Sequence, residues 1–481
     1  MNPTIFLTCF FVYIVGMIAF GWWMTRRKQT GSDFLLGGRS LPLLLTLGTT
    51  IATMVGTGSS MGAVGKAYEN GWGGSLYGVG GALGILVAAW LFAPVREYRF
   101  MTMAEELASY VGANRVVLNL VAVFTFLASV GWLGAHILGG GAYLQFATGI
   151  DPFWAKVSIA LGFGIYAMIG GYRAVVWTDT LQAVVLFGGF ILTAFFALQI
   201  VGGWEGLQST HAELAAKSTG NSMLHGLSLI VVIGVGVLGT PAFRQRIYSG
   251  KSVREIRRAY TISGVLYLAF CILPAIIGMA AYKTFPKLDN QDLAFPNMAT
   301  ETLPLALGIL VLLAGLSATL SSASSDAIAG VTTVIRDLHK LVFGRVPEPG
   351  RVVTLSRYSL GLTTALALGM ALAADNVIDY IKLMISLFLT GMCVVGVLGR
   401  IWPRYNAAGA IASLLGASAT ALAFKFNPVW SNDWGNPVIP SLAVSAGLGI
   451  LLSLMTPPDK ISHPNAVELL ARERGKMEGE V

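Results

Sequence analysis

Residues 316–331 read LSATLSSASSDAIAGV, five serines and one aspartate inside a run otherwise apolar enough for a membrane interior. At helical spacing Ala318, Ser321, Ser322 and Ser325 share one face, with Ser324 just beside them. One hydroxyl in a helix can satisfy itself on the carbonyl a turn back. A stripe of them asks for another partner. A small alkali cation is one, because hard cations take several oxygen ligands and a cage of neutral hydroxyls and carbonyls lets the ion leave again. Sodium is the natural candidate. The ordinary alternative is close helix contact, which also selects small residues.

Two carboxylates and an imidazole add to this set. Asp179, in VVWTDTLQAVV, opens or lies just inside an apolar run, where it reads either as a cation partner or as an N-cap beside Thr178. Asp326 lies within the serine run and could face water, pair with a base or be protonated. His136 sits alone in an apolar helix, where a satisfied core residue is the ordinary reading.

The backbone that must position these groups carries two unusual stretches. Residues 48–65 read GTTIATMVGTGSSMGAVG, and residues 232–241 read VIGVGVLGTP. Both invite a break in the helical ladder, and unwound backbone at membrane depth is tolerated only where it lines a cavity. Paired interrupted helices in the two halves of a transporter point to a central site.

The composition requires a membrane. Of 481 residues, 55% are hydrophobic and 12% charged, about half the charge a soluble domain carries. Apolar runs long enough to cross about 30 Å of hydrocarbon recur about thirteen times, near 4–24, 41–65, 72–95, 116–146, 153–172, 178–202, 223–243, 260–282, 303–335, 353–373, 377–399, 406–424 and 437–456. The net charge of +8 does not indicate nucleic acid, because lysine and arginine concentrate in every second connection. Arg26, Arg27 and Lys28, then Arg96 and Arg99, then Arg244 to Arg258, then Arg336 to Arg351, fall on one side. The positive-inside rule then sets the N-terminus outside and the tail, with Arg472, Arg474 and Lys476, in the cytoplasm. The first run ends in TRRK without a cleavage site and reads as a retained helix. Cys9, Cys271 and Cys393 each lie within a span, as small buried residues rather than a disulfide or metal set.

Four stretches together resemble the sodium:solute symporter family. They are LGGRSLP before the first break, IYAMIGGYRAVVWTDTLQ (165–182), GTPAFRQRIYSGKS after the second break, and SATLSSASSDAIAGVTTVIRDLHK (317–340). The resemblance implies an all-α polytopic membrane protein of the leucine-transporter-like fold. It would have two inverted five-helix repeats, 41–202 and 203–400, one helix and a cytoplasmic loop in 1–40, two helices in 401–456 and a cytoplasmic tail, 457–481.

Carried over from the family, the principal sodium site would use carbonyls of Ala52, Val55 and Ala318 with the hydroxyls of Ser321 and Ser322. A second sodium, bound by some members, would use Asp179, Ser324 and Ser325, and the presence of all three favours two sodium ions per cycle over one. Substrate contacts would come from Met54, Gly56, Ser59, Gly78, His136, Thr240 and Pro241. Met54 stands where proline symporters carry an aspartate, and Asp326 where relatives often carry glutamine. An organic acid suits His136, which can donate to a carboxylate, and NPVIPSL (436–442) fits a pantothenate-like bacterial branch. The expectation is a sodium-coupled importer of a small organic solute in the bacterial inner membrane, with no nucleic acid and no obligate protein partner. An amino acid or sugar symporter is the alternative within the family; a transporter-like sensor, a channel or an enzyme is the alternative outside it. The short tail leaves no room for a signalling domain, and the scattered histidines form no catalytic set.

Overall fold

The computed structural model describes residues 2–24, 30–217, 222–374 and 377–478, so Arg26, Arg27 and Lys28 lie outside it. Among the described residues the chain is helical, with one isolated bridge between Leu41 and Gly250. Among the described residues nine helices are long and apolar enough to cross a membrane, and ten if the bent pair Met223–Gly239 and Pro241–Ser249 is one span. The expected thirteen is not reached on that criterion, which the shorter apolar helices Leu43–Met54 and Pro152–Ile165 and the helix Val352–Leu372 do not meet. Leu44, Trp90, Val184, Phe195, Leu362 and Leu454 stand exposed on the outside of the bundle. Hydrocarbon can cover such side chains; water would penalise them.

The spans expected at 153–172 and 178–202 are two helices within Pro152–Ile200 that meet at a kink at Gly171. Gly171 takes φ +59°, a conformation costly for a residue with a Cβ, and a Cβ there would meet the Phe34 ring and backbone. Asp179 therefore lies eight residues past a kink, inside a helix rather than at its start. Thr178 likewise caps nothing, since its hydroxyl donates back to the carbonyls of Ala174 and Val175 at 3.1 and 2.9 Å. The connection after Ile200 holds a further helix, Gly203–Lys217.

The first Gly-rich stretch breaks where its sequence suggested. Helix Leu43–Met54 ends at Val55, whose ψ of 60° leaves the helical region, and a π-turn at Gly58–Gly62 leads into Ala63–Asn70. The second stretch bends by 44° at Thr240, which is extended. Pro241 is the cause, since it has no N–H to continue the ladder.

At one end of the bundle the basic connections converge. Arg96 donates to the carbonyls of Gly250 and Arg39, joining three separate connections. Arg336 meets Glu105 at 2.8 Å, and Arg244 meets Glu106 at 3.3 Å. The tail folds onto this end as helix His463–Glu478, with Arg474 3.5 Å from Glu105 and Lys340 paired with Glu473. Burial alone would push the Glu105 carboxyl up, but Arg336 and Arg474 outweigh it and hold Glu105 below the usual carboxylate range.

Candidate ion and solute site

The serine helix, Leu305–Thr333, runs through the interior, and its residues from Leu316 to Thr333 are all buried. The stripe thus faces protein, not lipid, and each of its serine hydroxyls has a partner. Ser317 meets the Tyr13 hydroxyl at 2.6 Å, which ties the first helix to the bundle. Ser321 donates to the carbonyls of Ala52 and Ala318 at 3.2 and 3.1 Å. Ser322 lies 3.4 Å from the Ala52 carbonyl and 3.3 Å from that of Thr53. Ser324 turns back to the Ser321 carbonyl at 3.0 Å, and Ser325 donates to Asp179 Oδ2 at 2.9 Å.

The break makes these contacts possible. A helix ending at Met54 leaves its last carbonyls without amide donors. Ile51 still receives the Val55 N–H at 3.0 Å. The next three are met by side chains: Ala52 by Ser321 and Ser322, Thr53 by Ser322, and Met54 by the Ser59 hydroxyl at 3.0 Å. Ala52, Ala318, Ser321 and Ser322 are therefore gathered in one place, with Val55 at the break itself. Neutral oxygens from two elements in this arrangement are what a sodium ion needs. Gly56 allows the approach, because a Cβ there would stand 2.7 Å from Ser322 Oγ and 3.2 Å from the His136 ring.

Asp179 has a partner that sequence reading took only as a loop charge. Arg246, fully buried on Pro241–Ser249, lies 3.6 Å from Asp179 Oδ2. Its Nη2 donates to Ser325 Oγ at 2.8 Å, to Thr49 Oγ1 at 2.9 Å, to the Thr49 carbonyl at 3.2 Å and to Thr53 Oγ1. Thr49 also donates to Asp179 Oδ2 at 2.6 Å. A guanidinium thus occupies the oxygens expected of a second cation site, and Ser324 is not among them. Spacing could not have revealed this, since Arg246 is 67 positions from Asp179 in the chain.

A separate cavity opens between the two breaks. Met54, Gly56, His136 and Thr240 line it, joined by Thr53, Trp132, Tyr77, Tyr267, Phe243 and Asp326. Three expected contacts lie elsewhere. Ser59 and Gly78 flank a neighbouring cleft at Cys271 and Pro274, and Pro241 faces a cleft beside Met101 and Gln245. The reason for Gly78 is packing, since a Cβ there would collide with Cys271. His136 is held on both ring nitrogens, Nε2 3.2 Å from Asp326 Oδ2 and Nδ1 2.9 Å from Thr57 Oγ1. Trp132 stacks on the imidazole, with centroids 6.1 Å apart, and donates to Thr240 Oγ1 at 2.9 Å. Tyr77 also borders a larger cavity of about 430 Å³ toward the other end of the bundle, lined by Lys66, His211, Lys382 and Asn436.

The sequence profile of the sodium:solute symporter family matches residues 34–416. This chain belongs to the sodium:solute symporter family. Among its relatives, the sodium/pantothenate symporter of Haemophilus influenzae is 27% identical over 81% of this chain and 84% of its own. A high-affinity proline transporter of Bacillus subtilis is 26% identical over 92% and 96%. A sodium-coupled sialic acid symporter, solved in a substrate-bound outward-open state, superposes with a TM-score of 0.80 at 20% identity, over 95% of this chain and 98% of that one. The fold is the leucine-transporter-like one, and the chain is a multi-pass secondary transporter rather than an enzyme.

Proposed function

We propose that this symporter couples the inward movement of sodium to uptake of a small organic solute by alternating access. Sodium is cargo here, held by the carbonyls of Ala52, Val55 and Ala318 and the hydroxyls of Ser321 and Ser322. The observation that carries the reading is the meeting of Ser321 and Ser322 with the carbonyls freed at the break. An ion at that junction ties the broken helix to the serine helix. Loss of the ion loosens the same junction, so solute and ion favour each other's binding reciprocally. The repeats 41–202 and 203–400 would move against each other around the site.

One charge crossing 100 mV supplies about 2.3 kcal/mol, enough for about 40-fold accumulation. A second sodium at Asp179, Ser324 and Ser325 is the other reading. The orphaned, buried Asp179 Oδ1 favours it, and the Arg246 guanidinium already among those oxygens opposes it. We take one sodium per cycle. The convergence of Arg96, Arg244, Arg336 and Arg474 supports a cytoplasmic face at that end, with the tail inside, in a bacterial inner membrane. The Ser321→Ala/Ser322→Ala protein in proteoliposomes should lose binding of radiolabelled sodium and sodium-driven uptake. Wild-type sodium binding by that variant would remove the assignment.

The organic-acid expectation rested on His136 as a donor. With Asp326 and Thr57 on its two nitrogens, the imidazole has no N–H left over for a carboxylate.

A further inference from the structure

We infer that the solute carries an amino group, bound as an ammonium by Asp326 and the rings around it. This inference names the solute class for the site proposed above, and rests on that reading.

Three observations lead to it. Asp326 is buried at 2% exposure and lines the cavity between the breaks. Its Oδ2 faces His136 at 3.2 Å, whereas Oδ1 is buried with no hydrogen-bond partner among the described residues. A carboxylate oxygen left in this state costs stability unless something fills its need, so an orphan acceptor in a cavity is a place for a donor. Aromatic side chains form half of the remaining large wall, Trp132, Tyr77, Tyr267 and Phe243, beside the aliphatic Met54, Ile233, Val237 and Ile385. Ring faces attract a desolvated cation, and they do nothing comparable for a carboxylate.

The lining also argues by its composition. It holds no lysine or arginine, so nothing of fixed positive charge stands ready for an anion. The one basic group, His136, is already used: Nε2 faces Asp326, and Nδ1 meets Thr57, whose hydroxyl lies 3.1 Å from that of Thr319. His136 is thereby a positioning residue, which engages Oδ2 and leaves Oδ1 without a partner among the described residues. Arg246, whose charge acts on Asp326, is committed to Thr49, Thr53, Ser325 and Asp179. An ammonium entering the cavity meets a carboxylate and aromatic side chains, with no lysine or arginine in the lining.

The test uses the full-length protein in proteoliposomes, with sodium replaced by potassium in controls. Electrogenic responses are recorded to matched triads that differ at one group: L-alanine, L-lactate and propionate; L-phenylalanine, phenyllactate and phenylpropionate. Ethylamine and choline probe the cation without a carboxylate. Sodium-dependent responses should come from amine-bearing members at least tenfold more strongly than from their hydroxy or deaminated analogues. Asp326→Asn should abolish that preference and Asp326→Glu should restore part of it, with radiolabelled sodium binding measured in each to show the protein is folded. Equal responses to propionate and L-alanine, or to the phenyl pair, would overturn the inference, as would an amine preference that survives Asp326→Asn. Silence of every amine in a protein that binds sodium overturns it too, while leaving sodium-coupled transport standing. Failure of the wild-type protein to bind sodium would overturn the transport reading itself.

Discussion

Replacing Arg246 by glutamine tests the most exposed step of the argument, that a tethered cation serves Asp179. Both groups are fully buried, at 3.6 Å, and Nη2 of Arg246 supplies donors to Thr49, Thr53 and Ser325 as well. Removing one member of a buried pair leaves an uncompensated charge and costs about 3–5 kcal/mol. Arg246→Gln should therefore lower stability by about 4 kcal/mol in potassium. The double variant Asp179→Asn/Arg246→Gln should recover at least about 2 kcal/mol of it, because no charge is then orphaned. The single variant also frees Ser325, Thr49 and the Asp179 carboxyl for an external cation. Sodium at a hundred times its dissociation constant should then return about 2.7 kcal/mol. Unfolding of nanodisc-embedded protein in sodium and in potassium chloride, followed by intrinsic fluorescence, measures all three quantities. Arg246→Gln protein as stable as wild type in potassium, or a double variant no better than the single one, would refute the pairing. Equal stability of Arg246→Gln in the two salts would refute the exchange of guanidinium for sodium.

Gly56→Ala places a methyl 2.7 Å from Ser322 Oγ and 3.2 Å from the imidazole of His136, an overpacking worth about 1–3 kcal/mol; sodium titrations should show affinity down roughly tenfold or more. Glu105 lies below the usual carboxylate range in the folded protein, so its contribution is complete above the unfolded value and is lost as the pH falls through the lower folded one. Glu105→Gln should flatten stability in that acidic window and expose the tail helix to protease, since Arg336 and Arg474 lose their partner. Asp292 behaves oppositely, because burial pushes its carboxyl up to about 6. It costs stability progressively as the pH rises from the usual aspartate value through about 6, so Asp292→Asn should raise the melting temperature at pH 7 and remove that slope. A melting curve unchanged at pH 7 would count against it.

Much of the candidate ion site was legible in the sequence, because hydroxyls at helical spacing in an apolar run are unusual in a membrane helix. The stretch 316–331 announced oxygens in need of partners, and the glycines of 48–65 announced a break. Both are local signals, carried by residues a turn apart. The N-cap reading of Asp179 failed for the opposite reason: whether a helix starts at Thr178 depends on Gly171 and on the packing of Phe34 against it, a contact between distant segments. Ser59, Gly78 and Pro241 were near the breaks in sequence but turned into other clefts, since a residue's direction at an irregular bend is set by what packs around it.

By itself the sequence determined what solvent this chain lives in, where its backbone would open and which neutral oxygens could receive an ion. Burial pattern, glycine content and side-chain chemistry are properties of short stretches, and they survive any arrangement of the helices. Only the tertiary structure decided which charges meet. Arg246 with Asp179, His136 with Asp326, and Glu105 with Arg336 and Arg474 join residues from 67 to 369 positions apart. Such pairs form because a buried charge must find its opposite, and the fold alone determines which one is within reach.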